Sequence, residues 1–416
     1  MMEKQENRLF YGWSVVLGCA VVCGCNIGVL SNTVGVFLKP VSMELGVSRS
    51  QIALYSSIFS VIGMFSAPFQ GRLMEKYSLK KLMVSGSVIA GICLFCYSFA
   101  PGLWFFYANA VLCGLVFGFT NLIPVNKILS NWFTKKKGTA VGFALAGSGL
   151  MAMVVTPVLS HMVADYGWSG YRFIGSLYLL LMVPVILFVI KESPEDGKFG
   201  GGGTGDTETG DQNIKTGLTR AQAMGTRRFW LILAALVLAG SVAMGIQQHM
   251  IAYLTDMGYG QQYASGIYSL SMGVLMAGKV ILGTLYDRLG IKGASVYICL
   301  ALAASLGFLL MADLPGIPYL FAAAFGLANA IQSIPATCLV TRFFGTREFT
   351  SIYGICNAGN MAGIALGTSM SAWIYDASGS YVAAWYFYLL LSAVIFILYI
   401  SADREYERRV LQKCCQ

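Results

Sequence analysis

Charge is scarce in this chain. Only 11% of its 416 residues are charged, against 56% hydrophobic, whereas soluble domains carry about 25% charge. So few charges cannot cover a water-exposed surface, which excludes an ordinary soluble globule. Histidine is scarcer still, with two in the chain, His161 and His249. There is no metal-ligand cluster and no nucleophile triad. The four-glycine run Gly200 to Gly203 lacks the following Lys-Ser or Lys-Thr of a phosphate-binding loop. No catalytic residue, metal or cofactor is therefore expected, and an enzyme is not indicated. The eleven cysteines form no disulfide framework. Cys19, Cys23, Cys25, Cys93, Cys96 and Cys113 lie in apolar runs, where cysteine acts as a small hydrophobe, and Cys414 and Cys415 read as incidental cysteines of a tail.

What the chain has is long apolar runs, of the ~20 residues that cross a bilayer core as helix. Six fall at 11–38, 50–70, 82–100, 103–126, 139–163 and 172–191, and six more at 228–254, 262–285, 294–312, 317–340, 349–373 and 381–401. The first is too long for a signal-peptide core and has no evident cleavage site. Between the sixes, 192–227 is rich in Gly, Thr and Asp and reads as a flexible cytoplasmic linker. The expected organisation is an N-terminal bundle 1–191, this linker, a C-terminal bundle 228–401 and a cytoplasmic tail 402–416. Glycine, at 48 residues, suits helices that pack closely in lipid.

The basic residues set the orientation. With the N-terminus inside, 24 Lys and Arg fall on the cytoplasmic side and three, Lys39, Arg49 and Arg172, outside. That excess predicts both termini in the cytoplasm of a multi-pass plasma-membrane protein. The net charge of +9 then reflects topology and lipid headgroups, and no nucleic-acid partner is expected.

A shift of 212 residues aligns the two halves. Gly46 meets Gly258, Gly71 meets Gly283, Glu75 meets Asp287, Lys76 meets Arg288, Gly114 meets Gly326, Gly142 meets Gly354, and Ala146-Gly147 meets Ala358-Gly359. Six spans per half give both halves the same orientation, so the repeat is parallel.

Two paired motifs follow the second and eighth spans. Gly71-Arg72-Leu73-Met74-Glu75-Lys76-Tyr77-Ser78 has its counterpart in Gly283-Thr284-Leu285-Tyr286-Asp287-Arg288-Leu289-Gly290. Both resemble the loop signature of the major facilitator superfamily; the first departs with Glu for Asp and Ser for the later Gly. Physically, the acid can cap a helix N-terminus while the basic groups pair with acids or headgroups. Gly71, Glu75, Lys76, Gly283, Asp287 and Arg288 are thus candidates for a gating latch. Ordinary positive-inside charge explains the Lys but not the Gly-x-Leu-x-acid pattern. Further stretches extend the likeness: Phe10-Tyr11-Gly12-Trp13, Gly35-Val36-Phe37-Leu38-Lys39-Pro40, Trp132-Phe133-Thr134-Lys135-Lys136-Lys137-Gly138-Thr139-Ala140-Val141-Gly142 with Ala146-Gly147, and His249 to Gly258. Together they resemble the monocarboxylate transporter and oxalate:formate antiporter families over nearly the whole chain. The Gly and Ala positions of the fifth span suit close packing against a partner helix that slides. The resemblance implies an all-α fold of twelve transmembrane helices, two six-helix bundles about a central cavity, working as a monomer.

By this span assignment, Lys279 is the one Lys, Arg, Asp or Glu well inside a span. A buried cation is costly in lipid and should face a cavity or partner, where it could hold a carboxylate; the alternative is a Lys snorkelling to the interface. In the resembled families an Arg on the eighth helix binds the substrate carboxylate, and here Ala277-Gly278-Lys279 puts Lys at that place. Lys is a point charge without the bidentate fork of Arg. The Asp that monocarboxylate transporters carry one turn earlier is Leu275 here, and the second cation of oxalate antiporters on the eleventh helix is missing from Gly354 to Asn360. One cation suits a monoanion. Asn121, Gln332, Asn357, Asn360 and Tyr353 lie at similar depth and could bind substrate or serve as interhelical glue. His249, toward the outer end of the seventh span, could relay protons or make a structural bond; His161 reads as structural. The expected function is transport of a small organic anion by alternating access, as proton symport or exchange. The rivals are a carrier or exporter of a neutral or amphipathic compound, which predicts a cavity acid, and a non-transporting sensor, which calls for more than a tail of about fifteen residues.

Overall fold

The computed structural model describes residues 3–133, 137–192, 217–345 and 347–414. Thr134, Lys135, Lys136, most of the glycine-rich linker and Cys415 lie outside them, as do the side chains of Glu75 and Cys414. The chain divides into two compact units, Met1–Gly210 and Asp211–Gln416.

In the first unit, α1 (Glu3–Cys23) runs through a π-turn at Gly24–Val29 and resumes as α2 (Val34–Leu45). The interruption holds Asn26, whose side chain is fully buried. Its amide donates to the Phe117 carbonyl at 3.4 Å and accepts from the Tyr178 hydroxyl at 3.4 Å, so the polar group is satisfied where water is absent. Helix α3 (Arg49–Lys76) starts on a capping box in which the Ser48 hydroxyl and the Gln51 side chain each accept from the other's backbone. Then come α4 (Leu79–Cys96), α5 (Leu103–Val116), α6 (Leu122–Trp132), α7 (Lys137–Tyr166) and α8 (Gly170–Pro184) with its π-turn Val185–Val189.

The second unit opens with the short α9 (Arg220–Met224), then α10 (Arg227–Asp256), α11 (Gln261–Leu310), α12 (Ile317–Ala328), α13 (Ile334–Phe344), α14 (Phe349–Ser378) and α15 (Val382–Cys414). Among the described residues, nine helical stretches are long and apolar enough to cross a membrane. Two of these, Ala140–Val189 and Gln261–Leu310, are 50 residues long and each holds two of the predicted spans. Helix α14, the eleventh predicted span, is not among the nine; its many Gly, Ser, Thr and Asn residues dilute its apolar run.

The repeat reappears as structure at the same shift of 212. Helices α3 and α11 begin at Arg49 and Gln261, α6 and α13 at Leu122 and Ile334, α7 and α14 at Lys137 and Phe349. Positive-φ glycines recur at Gly46 and Gly258, and at Gly167 and Gly379. So do close backbone approaches. A Cβ on Gly114 would lie 2.8 Å from the Phe59 carbonyl oxygen and one on its mate Gly326 2.5 Å from the Ser271 carbonyl oxygen, while in the fifth span a Cβ on Gly147 would collide with the Ala20 carbonyl. Gly142 and its mate Gly354 face open space instead. The small residues entering the fifth span are therefore of two kinds, and Gly147 is the packing one.

Three expected boundaries move. The latch motifs are helical: α3 runs to Lys76, and the second copy stays helical until Gly290. Gly71, Glu75 and Lys76 thus occupy the end of α3, and Gly283, Asp287 and Arg288 the turns before a break. Arg, Leu, Met, Glu and Lys favour helix, and basic groups stabilise a helix C-terminus. The chain turns at Tyr77-Ser78 with extended backbone, φ −117° and −56°. In the second copy it turns at Gly290 alone, φ 66°, ψ −164°, a region open essentially to glycine. The Ser-for-Gly departure is thereby explained, since the first copy makes its turn without left-handed backbone. Within the expected linker, the described residues resume at Gly217 and pack on the second unit. Leu218 donates to the Phe344 carbonyl at 2.9 Å, and the backbone N–H of Arg220 at the start of α9 donates to the Glu348 carboxylate at 2.7 Å. The expected tail continues as helix α15 to Cys414, because its sequence has no Pro or Gly to stop it.

Candidate functional site

The polar centre of the second unit is built on a break between α12 and α13. Pro335 has no N–H to donate back to the fourth residue before it, so the helix cannot run on unchanged. The chain tightens into a 3-10 turn, Asn329–Gln332. The first unit breaks in the same place, at Phe117–Thr120, ahead of Pro124. There Asn121 caps α6 by accepting from the Leu122 N–H at 2.8 Å.

In the second unit the broken turn carries two amides that meet a third. Asn329 donates through Nδ2 to Gln247 Oε1 at 2.8 Å. Gln332 donates through Nε2 to Asn329 Oδ1 at 2.8 Å and, longer, to Gln247 Oε1 at 3.5 Å. Gln247 in turn donates through Nε2 to the Tyr268 hydroxyl at 3.3 Å. Asn360, on α14, donates through Nδ2 to the Gln332 backbone carbonyl at 2.9 Å, an acceptor at the break. Its own Oδ1 is buried with no hydrogen-bond partner among the described residues. Gln247, Asn329 and Tyr268 are buried and Gln332 is half-buried. The structure thus joins Gln332 and Asn360, two of the expected residues, to three that sequence reasoning missed. A signal was present: Gln247 begins the polar triplet Gln247-Gln248-His249 inside an apolar span, and Asn329 lies one turn before Gln332.

Lys279 lies on α11, which packs on α12 just ahead of this break. Its neighbour Gly278 packs on α12: a Cβ there would lie 2.9 Å from the Gly326 carbonyl oxygen and 2.9 Å from Leu327 Cα. The backbones of α11 and α12 therefore touch one turn ahead of the 3-10 segment. Lys279 is half-buried, eighteen residues into the helix and eleven before Gly290, or about 16 Å along the axis from that break.

His249 is placed elsewhere. It follows Gln247 by two residues, a rotation of about 200° round a helix, so the two point to opposite sides of α10. Gln247 meets α11 and the broken turn. His249, fully buried, has Nε2 2.9 Å from the Thr368 carbonyl and Nδ1 3.1 Å from the Tyr381 hydroxyl. A carbonyl only accepts, so Nε2 carries the proton, and in the neutral ring Nδ1 accepts from Tyr381. Tyr353 stacks on Phe349 at 5.4 Å, about two turns along α14 from the Asn360 end of its polar face by way of half-buried Asn357; neither makes a described bond to the amide network.

At the helix ends, Lys76, Asp287 and Arg288 are exposed and Gly71 and Gly283 are half-buried with open space about them; the side chain of Glu75 lies outside the described residues. Among the described residues of the first unit, Glu192 caps a neighbouring helix. Its carboxylate accepts from the Lys80 N–H at 2.7 Å and the Ser78 hydroxyl at 3.2 Å, at the positive end of α4. A cavity in the same unit is lined by Thr33, Phe37, Tyr55, Ser56, Tyr97 and Tyr171 among others. The Tyr55 and Tyr171 hydroxyls bond to each other at 3.2 Å, and no lining residue is charged.

Comparison with known proteins agrees with this architecture. The sequence profile of the Major Facilitator Superfamily matches residues 17–320 and 293–413. Monocarboxylate transporter 12-B of Danio rerio is 24% identical, over 96% of this chain and 88% of that protein. Monocarboxylate transporter 12 of Homo sapiens is 24% identical over 92% and 80%, and monocarboxylate transporter 4 of Mus musculus 22% over 89% and 78%. Among solved structures, the D323A mutant of the nucleoside transporter NupG superposes with a TM-score of 0.75 at 16% identity, covering 94% of this chain and 99% of that one. A bacterial homologue of the human lysosomal transporter Spinster, inward-facing and unoccupied, gives 0.71 at 14% identity, covering 96% and 98%. At such identities the structural likeness speaks for the fold. The expected all-α fold is the one found, and the chain belongs to the Major Facilitator Superfamily, as a multi-pass membrane transporter related to the monocarboxylate transporters.

Proposed function

We propose that this chain carries a small organic monoanion, of the monocarboxylate kind, by alternating access. The carrying observation is Lys279, a cation deep in a membrane helix whose neighbour packs on α12 beside the broken turn. A charge is retained at such depth when it faces a polar partner or a ligand pathway, and broken membrane helices are where carriers of this architecture hold their substrates. Lys279 binds the carboxylate. Gln332 and Asn360 line the same level, and Asn121 takes the matching place in the first unit. Tyr353 and Asn357 continue the polar face of α14. His249 and Tyr381 form a structural pair. The charged ends of α3 and α11, with Glu75, Lys76, Asp287 and Arg288, act as the latch. Both termini lie in the cytoplasm and the protein resides in the plasma membrane, as the basic residues favour. Energy comes from co-transported protons or from exchange against a second anion.

The test is uptake of radiolabelled monocarboxylates into proteoliposomes, with and without an imposed pH gradient, for the wild type, Lys279→Ala and Lys279→Arg. A charge-assisted hydrogen bond lost from a site weakens binding by about ten- to a hundredfold. Lys279→Ala should therefore abolish uptake at low substrate, and Lys279→Arg should retain it. Dependence on the gradient separates symport from exchange. Uptake indifferent to Lys279 would refute the assignment and favour a neutral solute.

A further inference from the structure

The two units join a long helix to a broken one at the same place, and they do it differently. In each, a glycine of the broken helix lies on a carbonyl of the helix before it: Gly114 on Phe59 in the first unit, and its mate Gly326 on Ser271 in the second. About two turns further along the joints diverge. In the second unit Gly278 brings the backbones together again, a Cβ there lying 2.9 Å from the Gly326 oxygen, and the buried Leu282 follows one turn later. At the shift of 212 the first unit has Ser66 and Gln70 in their place. The Ser66 hydroxyl donates to the Gly114 carbonyl at 3.1 Å. Gln70 donates through Nε2 to the Leu115 carbonyl at 2.6 Å and to the Ser66 hydroxyl at 2.9 Å. A carbonyl only accepts, so the directions of these bonds are fixed. Asn26, from α1, adds a third donor on the Phe117 carbonyl. Gln70 is 1% exposed, and its amide lies across the 3-10 turn, where a Cβ on Gly118 would fall on it. The mates of Gln70 and Gly118 are Leu282 and Ala330, both fully buried. An amide and a glycine in one unit thus occupy the register of a leucine and an alanine in the other.

The second unit shows that a dry pair can fill this register, so the fold alone does not call for a buried amide. The two joints differ in how they can move. Backbones that touch at two levels part only by losing those contacts outright. A joint that touches at one level and is hydrogen-bonded at the next can turn about the first while the amide passes from one carbonyl to its neighbour. The last carbonyls of a helix, which lack partners within it, supply such acceptors. We infer that the α3–α5 joint is the flexing joint of the first unit, and that Gln70 is the positioning residue which guides the broken turn Phe117–Thr120, and Asn121 after it, as that turn changes angle during transport. The α11–α12 seam of the second unit stays fixed. This rests on the alternating-access reading but not on the identity of the anion.

The experiment pairs hydrogen–deuterium exchange with monocarboxylate uptake, on the full chain in proteoliposomes. It compares the wild type, Gly118→Ala, and the double variant Gln70→Leu/Gly118→Ala, which gives the first unit the pair found in the second. In the wild type, the amides of 114–121 should exchange faster than those of 326–333 in the same sample. Gly118→Ala alone should lower the unfolding temperature, because it drives the amide off its carbonyl, and adding Gln70→Leu should recover it. The double variant should slow exchange in 114–121 to the rate of 326–333. It should also lower turnover about three- to tenfold, the worth of one neutral hydrogen bond. KM should stay within about twofold, since no group that touches substrate has changed. Equal exchange of the two segments in the wild type would overturn the inference. So would wild-type turnover in the double variant, or lower turnover with exchange in 114–121 unchanged. A double variant that does not fold would overturn the equivalence of the two joints, and the inference with it. Absence of Lys279-dependent uptake would overturn the anion reading alone, because the exchange comparison needs no substrate and still decides which joint flexes.

Discussion

Gly326→Ala should damage both stability and transport, and the structure gives the size of the effect. A Cβ at Gly326 would lie 2.5 Å from the Ser271 carbonyl oxygen and 2.7 Å from Val274 Cβ. Comfortable contact between carbon atoms needs about 3.5 Å. The obstacle on one side is backbone, which cannot rotate away, so α11 and α12 must part by roughly 0.5–1 Å. A gap of that size forfeits a quarter to a half of each dispersion contact along the seam, and overpacking of this kind costs about 1–3 kcal/mol. The same seam carries the residue next to Lys279, since Gly278 packs on Gly326 and Leu327. A misplacement approaching 1 Å there should lower uptake well beyond the loss of folded protein. Gly354→Ala is the control. It lies in the same unit, in a helix, and its added Cβ meets nothing within 4 Å. Ala is better than Gly in a helix by roughly 0.5–1 kcal/mol, so this variant should unfold at or above the wild-type temperature. Both are measured by heating detergent-solubilised protein and following the monodisperse fraction by size exclusion, with uptake assayed in parallel. Equal behaviour of the two variants, or a stabilised Gly326→Ala, would refute the close-packing argument.

Other expectations follow from single contacts. Gly290→Ala forces a side chain into backbone at φ 66°, ψ −164°, and should cost about 1–3 kcal/mol, seen as a lower unfolding temperature; Gly283→Ala, with open space around it, should not. Glu192→Ala removes the acceptor for the Lys80 N–H and the Ser78 hydroxyl, and should cost about 0.5–2 kcal/mol as lost caps do, while Glu192→Asp is too short to restore both bonds. His249→Phe should lower the unfolding temperature, because Tyr381 loses its bonded partner, yet leave the ratio of KM values for matched substrates unchanged; a shifted ratio would put His249 in the binding site after all.

The halves, their spans and their register were legible in the amino-acid sequence because each rests on local chemistry. A membrane helix must satisfy its own backbone, so apolar length alone marks the spans, and a repeat of small and charged residues survives as a repeat of helix starts. Lys279 stood out for the same reason, as a charge with no water to hold it. The latch residues were read as loop, since Gly71 and Gly283 look like breaks, but helix formers carry each motif on to Ser78 and Gly290. What a sequence cannot state is direction across space. Gln247 and His249 are two residues apart and adjacent in any list of polar positions, yet helix geometry sends one to the broken turn and the other to Tyr381. Asn329 and Gln332 are drawn into one network only because Gln247 and Tyr268, from two other helices, meet them. Composition and period thus determined that this protein is a two-part membrane carrier, while the packing of α10, α11 and α14 around one proline-led break decided which polar groups are occupied with each other.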